Sequence, residues 1–159
     1  MSEDFLHSIQ QYRGLIRKVG RLYAFNMEDR EDLEQEILLQ LWRSWDSFRH
    51  DASISTWIYR IAMNTAISFV RKDSRFRRSE DRIPETATDD GRKVSEDREE
   101  LYTMLRKLSE PDRMLALLYL QDLSYQEMAD VTGWTVNNLG VRMNRLKNRL
   151  KDLYKDGRA

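Results

Sequence analysis

The chain has 159 residues, of which 40% are hydrophobic and 34% are charged, and its 27 basic and 27 acidic side chains balance. It contains 6 glycines, 2 prolines and no cysteine, which excludes disulfides and cysteine-ligated zinc and disfavours a turn-rich β architecture. Its histidines, His7 and His50, lie far apart, and no stretch approaches the roughly 18 apolar residues of a membrane span, so we expect a cytoplasmic all-α protein without a metal, a cofactor or a membrane-inserted segment.

The first half of the chain predicts three helices. Apolar residues spaced by three and four positions predict helices at 5–26 and 29–48, and a third from Ser55 or Thr56, either of which can cap its N-terminus, to about Arg71. The predicted buried stripe of the third helix is Ile58, Ile61, Ala62, Thr65, Ala66 and Phe69. Its opposite face carries Trp57, Arg60, Asn64, Ile67, Ser68 and Arg71. Because a solvated face rarely includes Trp and Ile, we expect this face to contact another molecule.

The middle of the chain reads as a linker. Helical periodicity is lost over 73–98, where Pro84 and Gly91 stand among Thr, Asp and Ser residues. We therefore predict domains at 1–75 and 99–159 with a flexible linker at 76–98. Charge alternates along the chain, since 28–36 and 85–100 are acidic and 71–82 and 136–159 are basic. This alternation suits a protein that contacts two different surfaces, although solvated helix faces explain any one segment alone.

The second half predicts four further helices. The first spans 99–108, and Ser109 followed by Glu, Pro and Asp is typical of the start of the next. A capping-box pattern at 124–127 opens a short helix, and Gly133 supplies the turn after it. Thr135 then caps a long final helix whose inward stripe is Leu139, Met143, Leu146, Leu150 and Leu153.

A short helix, a Gly-containing turn of about three residues and a longer basic helix form the layout of a helix-turn-helix motif. The outward side of the final helix then carries Asn137, Asn138, Val141, Arg142, Asn144, Arg145 and Asn148. Asn bonds adenine bidentately, Arg bonds guanine or phosphate, and Val touches a thymine methyl, so this side is suited to the major groove. Lys147, Arg149 and Lys151 are placed to meet phosphates. The pattern is also compatible with a solvated helix or a dimerisation seam.

Four stretches of the sequence resemble a known family. DREDLEQEILLQLW at 29–42 and STWIYRIAMNT at 55–65 resemble region 2 of the sigma-70 family, and LSEPDR at 108–113 and LSYQEMA at 123–129 resemble its region 4. With no third domain between them, the chain resembles an extracytoplasmic-function (ECF) sigma factor. The resemblance implies a region 2 helical bundle and a region 4 helix-turn-helix domain, which bind core RNA polymerase and direct promoter-specific transcription initiation without catalysis.

The resemblance also implies roles for individual residues. The acidic helix of region 2 docks on the clamp helices of the polymerase β′ subunit, which points here to Asp32, Gln35, Glu36, Leu39 and Trp42. Recognition and melting of the −10 element are expected from Trp57, Arg60, Asn64, Ser68 and Arg71, with Asn64 in the position that captures a flipped base. The −35 element is expected to be read by Asn137, Asn138, Val141, Arg142, Asn144 and Arg145, while other surfaces of region 4 contact the β-flap.

Several expectations qualify this assignment. Family recognition helices commonly carry a basic residue where this chain has Gly140, so we expect a non-standard −35 preference. The family also implies an anti-sigma factor as a partner and a monomer when the chain is free of partners.

A freestanding helix-turn-helix regulator is the alternative, which predicts tight binding to duplex DNA without polymerase. An enzyme is disfavoured because the sequence shows no Gly-rich phosphate loop, metal-ligand cluster or nucleophile–base arrangement.

Overall fold

The computed structural model describes residues 3–48, 53–76 and 96–158, and it describes 73–76 and 157–158 by their backbone alone. Within these ranges the chain forms seven α-helices and one 3₁₀ turn, and no residue there lies in a β-strand. The predicted all-α class is therefore confirmed. The helices form two compact units, α1 to α3 and α4 to α7. His50 and most of the predicted linker, including Pro84 and Gly91, lie outside the described residues.

The first unit contains α1 (Glu3–Tyr23), α2 (Met27–Ser44), the 3₁₀ turn (Trp45–Ser47) and α3 (Ile54–Phe76). The prediction that the first helix reaches residue 26 and the second starts at 29 is wrong. Asn26 has extended backbone angles and caps α2: its Oδ1 accepts a hydrogen bond from the Asp29 backbone N–H at 2.8 Å, and its Nδ2 donates to Asp29 Oδ2 at 3.0 Å. The second helix therefore begins two residues earlier than periodicity alone predicts, and the first ends three residues earlier.

The predicted cap of α3 is also corrected. Ser53 caps this helix, since its Oγ accepts from the Thr56 backbone N–H at 3.2 Å and donates to Thr56 Oγ1 at 2.9 Å. Thr56 is buried within the first turn. The helix also continues past the predicted end at Arg71 to Phe76, so the helical backbone extends into the segment that the sequence assigned to the linker.

The core of the first unit lies where α1 and α2 pack against each other and against α3. Its fully buried side chains include Leu22, Leu33, Ile37, Leu41 and Ile58. Of the predicted stripe of α3, Ile58, Ala62 and Ala66 are fully buried, whereas Ile61, Thr65 and Phe69 are only half-buried. Tyr59 and Met63 are buried instead. Because α3 packs on two helices rather than one, its buried face is wider than the predicted stripe and turned toward these two residues.

The second unit contains α4 (Glu96–Arg106), α5 (Glu110–Leu120), α6 (Tyr125–Thr132) and α7 (Val136–Arg158). The Ser109 cap and the capping box are confirmed: the Asp112 backbone N–H donates to Ser109 Oγ at 3.4 Å, and the Ser124 and Glu127 backbone N–H groups donate to each other's side chains at 3.0 and 3.1 Å. Hydrogen bonds from the Ser124 backbone N–H and from the Ser124 side chain to the Glu127 carboxylate lower the pKa of Glu127. The core between the helices includes Leu105, Leu115, Leu118, Met128 and Leu139.

Arg113 joins the first two helices of this unit. Its Nε donates to the Leu108 carbonyl at 3.0 Å and its Nη2 donates to the Arg106 carbonyl at 2.8 Å. A cation therefore satisfies carbonyl groups at the C-terminal end of α4, where the helix dipole favours positive charge. Across the described parts of both units, no helix is long and apolar enough to cross a membrane, and no group of acidic and His side chains is arranged to hold a metal ion.

Candidate polymerase and promoter interfaces

An open groove of about 770 Å³ runs between the outer faces of α2 and α3. It is lined from α2 by Asp32, Gln35, Glu36, Leu39 and Gln40, and from α3 by Asn64, Thr65, Ser68, Phe69 and Lys72. Most of the residues predicted to bind polymerase therefore lie beside two of those predicted to bind the −10 element. Nothing in the sequence pattern alone indicates that these two sets share one groove, because they lie on different helices.

The α2 face presents a mixture of acidic and apolar side chains. Asp32 and Gln35 are exposed, and Leu39 and Trp42 keep 39% and 41% of their surface accessible. Glu36 is half-buried, and its Oε1 accepts a hydrogen bond from Gln40 Nε2 at 3.0 Å. The spacing of three and four residues places all of them on one side of α2. Exposed Leu and Trp beside acids are suited to a protein partner with a basic rim and an apolar centre.

On α3, Arg60, Asn64, Ser68 and Arg71 are exposed and follow one another at spacings of four, four and three, so they form one polar face. Trp57, which is predicted on the same face, is less open than these four residues. Trp57 is half-buried, and its ring centroid lies 5.8 Å from that of Trp45 and 4.9 Å from that of Phe48. The residue is therefore held by aromatic contacts at the start of α3 rather than projecting alone.

Trp57 belongs to an aromatic cluster that joins all three helices of the first unit; its members are Phe5, Trp42, Trp45, Phe48 and Trp57. The ring of Phe5 on α1 lies 5.2 Å from that of Trp42 and 5.4 Å from that of Trp45, both in edge-to-face geometry. Trp45 and Phe48 are stacked at 6.3 Å. Such pairs contribute beyond the burial of their area, so the cluster stabilises the junction from which α3 begins. The aromatic residues at 42, 45 and 48 are visible in the sequence as a helical stripe, but their contacts with Phe5 and Trp57 are tertiary.

The helix-turn-helix geometry in the second unit agrees with the prediction. Gly133 adopts a left-handed conformation with φ of 80°, and its N–H donates to the Ala129 carbonyl at 2.8 Å, which ends α6. Thr135 Oγ1 then accepts from the Asn138 backbone N–H at 3.1 Å and caps α7. Leu139, Met143, Leu146 and Leu153 of the predicted inward stripe are buried, and Leu150 is half-buried.

The outward side of α7 carries the predicted reading residues. Asn137, Asn138, Val141, Asn144 and Arg145 are exposed, and Val141 keeps 53% of its surface accessible. Arg142 differs, because it is half-buried and its Nε donates to Asn138 Oδ1 at 2.7 Å. Its guanidinium lies 4.0 Å from the ring centroid of Trp134, a turn residue that sequence reasoning did not select. Lys147, which was expected to meet phosphate, lies with its Nζ 5.1 Å from the ring centroid of Tyr119 on α5.

Two glycines at this motif should respond in opposite directions to alanine. Gly133→Ala should lower the free energy of unfolding by about 1–2 kcal/mol, because an L side chain is crowded in the left-handed region. Gly140→Ala should raise it by about 1 kcal/mol, because Gly140 lies within α7 and an added Cβ there meets nothing within 4 Å. Urea titration followed by circular dichroism measures both variants. Shifts in the same direction would contradict the described turn.

Comparison with known proteins agrees with this division into two units. Residues 8–76 match the family model of sigma-70 region 2, and residues 98–150 match that of sigma-70 region 4. The RNA polymerase sigma factor YlaC of Bacillus subtilis is 29% identical over 152 residues, covering 89% of this chain and 86% of that protein. The ECF RNA polymerase sigma-E factor of Escherichia coli K12 is 29% identical over 137 residues, covering 77% of this chain and 72% of that protein.

Two solved structures share the fold. The sigma factor RpoE of Bartonella quintana, crystallised with the anti-sigma factor NepR, superposes with a TM-score of 0.79 at 25% identity, covering 97% of this chain and 98% of that one. CnrH, in complex with the cytosolic domain of CnrY, superposes with a TM-score of 0.70 at 19% identity over 96% of this chain and 88% of that one. The second likeness shows the fold alone.

Proposed function

The chain belongs to the ECF group of the sigma-70 family of RNA polymerase sigma factors, and from this premise we propose how its two units divide promoter-directed transcription initiation. The first unit docks on core RNA polymerase through α2 and captures the opened −10 element through α3. The second unit reads the −35 element through α7. The groove in which the acidic face of α2 borders the polar face of α3 carries this proposal, because it supplies adjoining surfaces for the enzyme and the promoter.

The docking surface is the α2 face formed by Asp32, Gln35, Glu36, Leu39 and Trp42. Its partner is the clamp helices of the β′ subunit. Exposed Leu39 and Trp42 supply apolar contact area, and tryptophan is enriched among the residues that carry most of an interface's free energy. The acids around them favour a basic partner and speed the encounter with it.

The −10 surface is the polar face of α3. Arg60 and Arg71 are placed to meet the DNA backbone, and Asn64 and Ser68 can hydrogen-bond an exposed base edge inside the groove. Removing a base from the duplex stack costs a few kcal/mol, so a preformed site with amide donors and acceptors stabilises the opened strand. Trp57, which is held in the aromatic cluster, supports the N-terminal end of this face.

The chain's zero formal net charge is consistent with promoter binding inside a complex. Non-specific affinity for DNA depends on neutralising phosphates. A chain whose positive and negative charges balance therefore has little non-specific affinity for DNA when it is alone. We therefore infer that core polymerase supplies the general affinity for DNA while α3 and α7 supply sequence choice. The chain then acts as a regulatory subunit in the cytoplasm, without chemistry of its own.

An anti-sigma factor is the proposed regulator. The solved relative from Bartonella quintana was crystallised with the anti-sigma factor NepR, which supports a partner of this class for the present chain. The exposed apolar residues of α2 offer a surface that such a partner would cover in competition with polymerase. The β-flap of polymerase is the proposed contact for the surfaces of the second unit that face away from DNA.

Arg145→Ala tests the orientation of α7. Arg145 is exposed on the outward side, so the substitution should lower promoter-dependent transcription about 10-fold through loss of a base or phosphate contact, with no change in the thermal unfolding midpoint. The measurement is transcript yield on a promoter that the wild-type holoenzyme transcribes. Lys155→Ala, at an exposed position near the end of α7, is the matched control. A transcript yield of the Arg145 variant equal to that of wild type would argue against the orientation.

Duplex DNA binding separates this proposal from a freestanding helix-turn-helix regulator. Wild-type chain should bind a promoter fragment specifically only when core polymerase is present. The comparison is a gel-shift titration of the chain alone, core polymerase alone and the two together. Specific binding by the chain alone, at the same affinity as the mixture, would favour the freestanding regulator.

A further inference from the structure

The helices α1 and α2 form an antiparallel hairpin whose open end is closed by aromatic rings. The two helices are joined by residues 24–26 and pack against each other, so the first turn of α1 lies beside the last turn of α2. Phe5 stands in that first turn of α1 and is only 4% exposed. Trp42 stands in the last turn of α2 and keeps 41% of its surface accessible. The open end therefore brings a buried ring against an exposed ring of the α2 face.

The Phe5 ring contacts two tryptophans at once. Its centroid lies 5.2 Å from that of Trp42, with 64° between the ring planes, and 5.4 Å from that of Trp45, with 72° between the planes. Both contacts have the edge-to-face geometry that the charge distribution of aromatic rings favours. Because Trp45 begins the 3₁₀ turn that follows α2, Phe5 bridges the end of the helix and the turn after it. The Trp42 indole therefore has a packed neighbour in the free chain.

The location of Trp42 at a helix end gives this contact its importance. The last turn of a helix is less constrained than its interior, because its final carbonyl groups have no donor within the helix. A side chain there changes rotamer readily unless a neighbour restrains it. Phe5 supplies that neighbour. The contact favours one orientation of the Trp42 indole and leaves the rest of its surface open on the α2 face.

We propose that Phe5 is a positioning residue for polymerase docking, because it holds the Trp42 indole in the orientation that the partner meets. Phe5 is too deeply buried to touch polymerase itself, so its effect on docking passes through Trp42. Ordering one side chain in an interface lowers the affinity by about 3- to 10-fold, and a side chain that is ordered beforehand avoids that loss. The inference rests on the proposed docking of polymerase on the α2 face.

Phe5→Leu tests the role of the ring. Leucine keeps an apolar side chain in the first turn of α1 but removes the edge-to-face contact, so the affinity for core polymerase should fall about fivefold. Phe5→Met, which fills a similar volume without a ring, should lower the affinity by a similar factor. Phe5→Tyr retains the ring and should restore most of the affinity. Fluorescence anisotropy of the labelled chain, titrated with core polymerase, measures the dissociation constant.

Ile9→Val is the matched control, because Ile9 is buried one turn further along α1 and is not a member of the aromatic cluster. The substitution removes one buried methyl group, which destabilises the first unit without changing a ring. Its affinity for core polymerase should stay within about twofold of wild type. Thermal unfolding followed by circular dichroism should place the midpoints of all variants above the assay temperature, so that folded chains are compared.

A double-mutant cycle shows whether Phe5 acts through Trp42. Trp42→Ala alone should weaken polymerase binding about 10-fold or more, as expected of a tryptophan in an interface. Adding Phe5→Leu to Trp42→Ala should cause no further loss, because the side chain that Phe5 positions is already absent. A purely structural contribution of Phe5 would instead lower the affinity by the same factor in both backgrounds.

Fluorine NMR of the chain labelled with 5-fluorotryptophan reports the orientation of the indole directly. The chain contains 4 tryptophans, and single substitutions assign the resonance of each. Phe5→Leu should shift or broaden the resonance of Trp42, whereas Ile9→Val should leave it in place. Trp134, which belongs to the second unit, is the internal reference and should not move in either variant.

Three results would overturn the inference. Wild-type affinity of Phe5→Leu and Phe5→Met, with weakened binding by Trp42→Ala, would reject the positioning role while leaving polymerase docked on α2. An equal loss from Phe5→Leu in the presence and absence of the Trp42 side chain would assign Phe5 to the stability of the fold alone. Wild-type affinity of Trp42→Ala would remove Trp42 from the docking surface, and the positioning role with it.

Discussion

Asn64→Ala should reduce the yield of open promoter complexes by roughly 10- to 100-fold while leaving the affinity for core polymerase unchanged. Asn64 is exposed on α3 and lines the groove together with Ser68. In the proposed complex its amide replaces hydrogen bonds that a base loses when it leaves the duplex, so alanine leaves the captured base unsatisfied. The measurement is permanganate reactivity of unpaired thymines at a promoter saturated with holoenzyme.

The matched control is Gln10→Ala, which removes an exposed amide from α1. It should leave both opening and polymerase affinity at wild-type values. A premelted promoter bubble adds a second comparison, because it removes the cost of separating the strands but retains the capture of the base. Equal open-complex yields for Asn64→Ala and wild type on duplex promoters would contradict the assignment of Asn64.

Leu39→Asp should weaken binding to core polymerase on the order of 100-fold or more, because the docked complex would bury an unpaired carboxylate beside Asp32 and Glu36. Leu39 is 39% exposed at the centre of the α2 face, so the substitution leaves the unit's core untouched. Fluorescence anisotropy of the labelled chain, titrated with core polymerase, measures the dissociation constant. Circular dichroism of the variant should match wild type.

Leu6→Asp is the control for this substitution. Leu6 is an exposed leucine on α1, with 46% of its surface accessible, and it lies outside the α2 face. Its replacement should change polymerase affinity by less than about threefold, as expected of a surface position away from the interface. An affinity of Leu39→Asp equal to that of Leu6→Asp would show that polymerase does not dock on α2 as proposed.

The elements that follow from local chemistry could be predicted from the sequence. Ser109 and Ser124 precede acids at the spacing of a helix start, and the structure contains both caps. Gly133 stands where a left-handed residue ends α6. Asn26 was missed because the apolar period of α2 becomes regular only at Leu33, so the helix start carries no periodic signal. Its identity as a cap is evident once its side chain is seen to accept from the Asp29 N–H.

The parts of the site that depend on tertiary packing could not be predicted in this way. Trp57 shares a helical face with Asn64, but its packing depends on Trp45 and Phe48, which lie across a loop from it. The contact between Trp134 and Arg142 joins a turn to the second turn of a helix, a relation that no helical period encodes. Periodicity identifies which residues face outward, whereas the orientation of each polar group depends on the neighbour it meets.

In vitro transcription on a promoter library tests the central claim most directly. Core RNA polymerase is incubated with or without the purified chain, and transcripts are mapped at their 5′ ends. The account predicts that the chain associates with core enzyme and that start sites then appear downstream of a shared pair of sequence elements. Association without a change in start sites, or start sites identical to those of core enzyme alone, would contradict it.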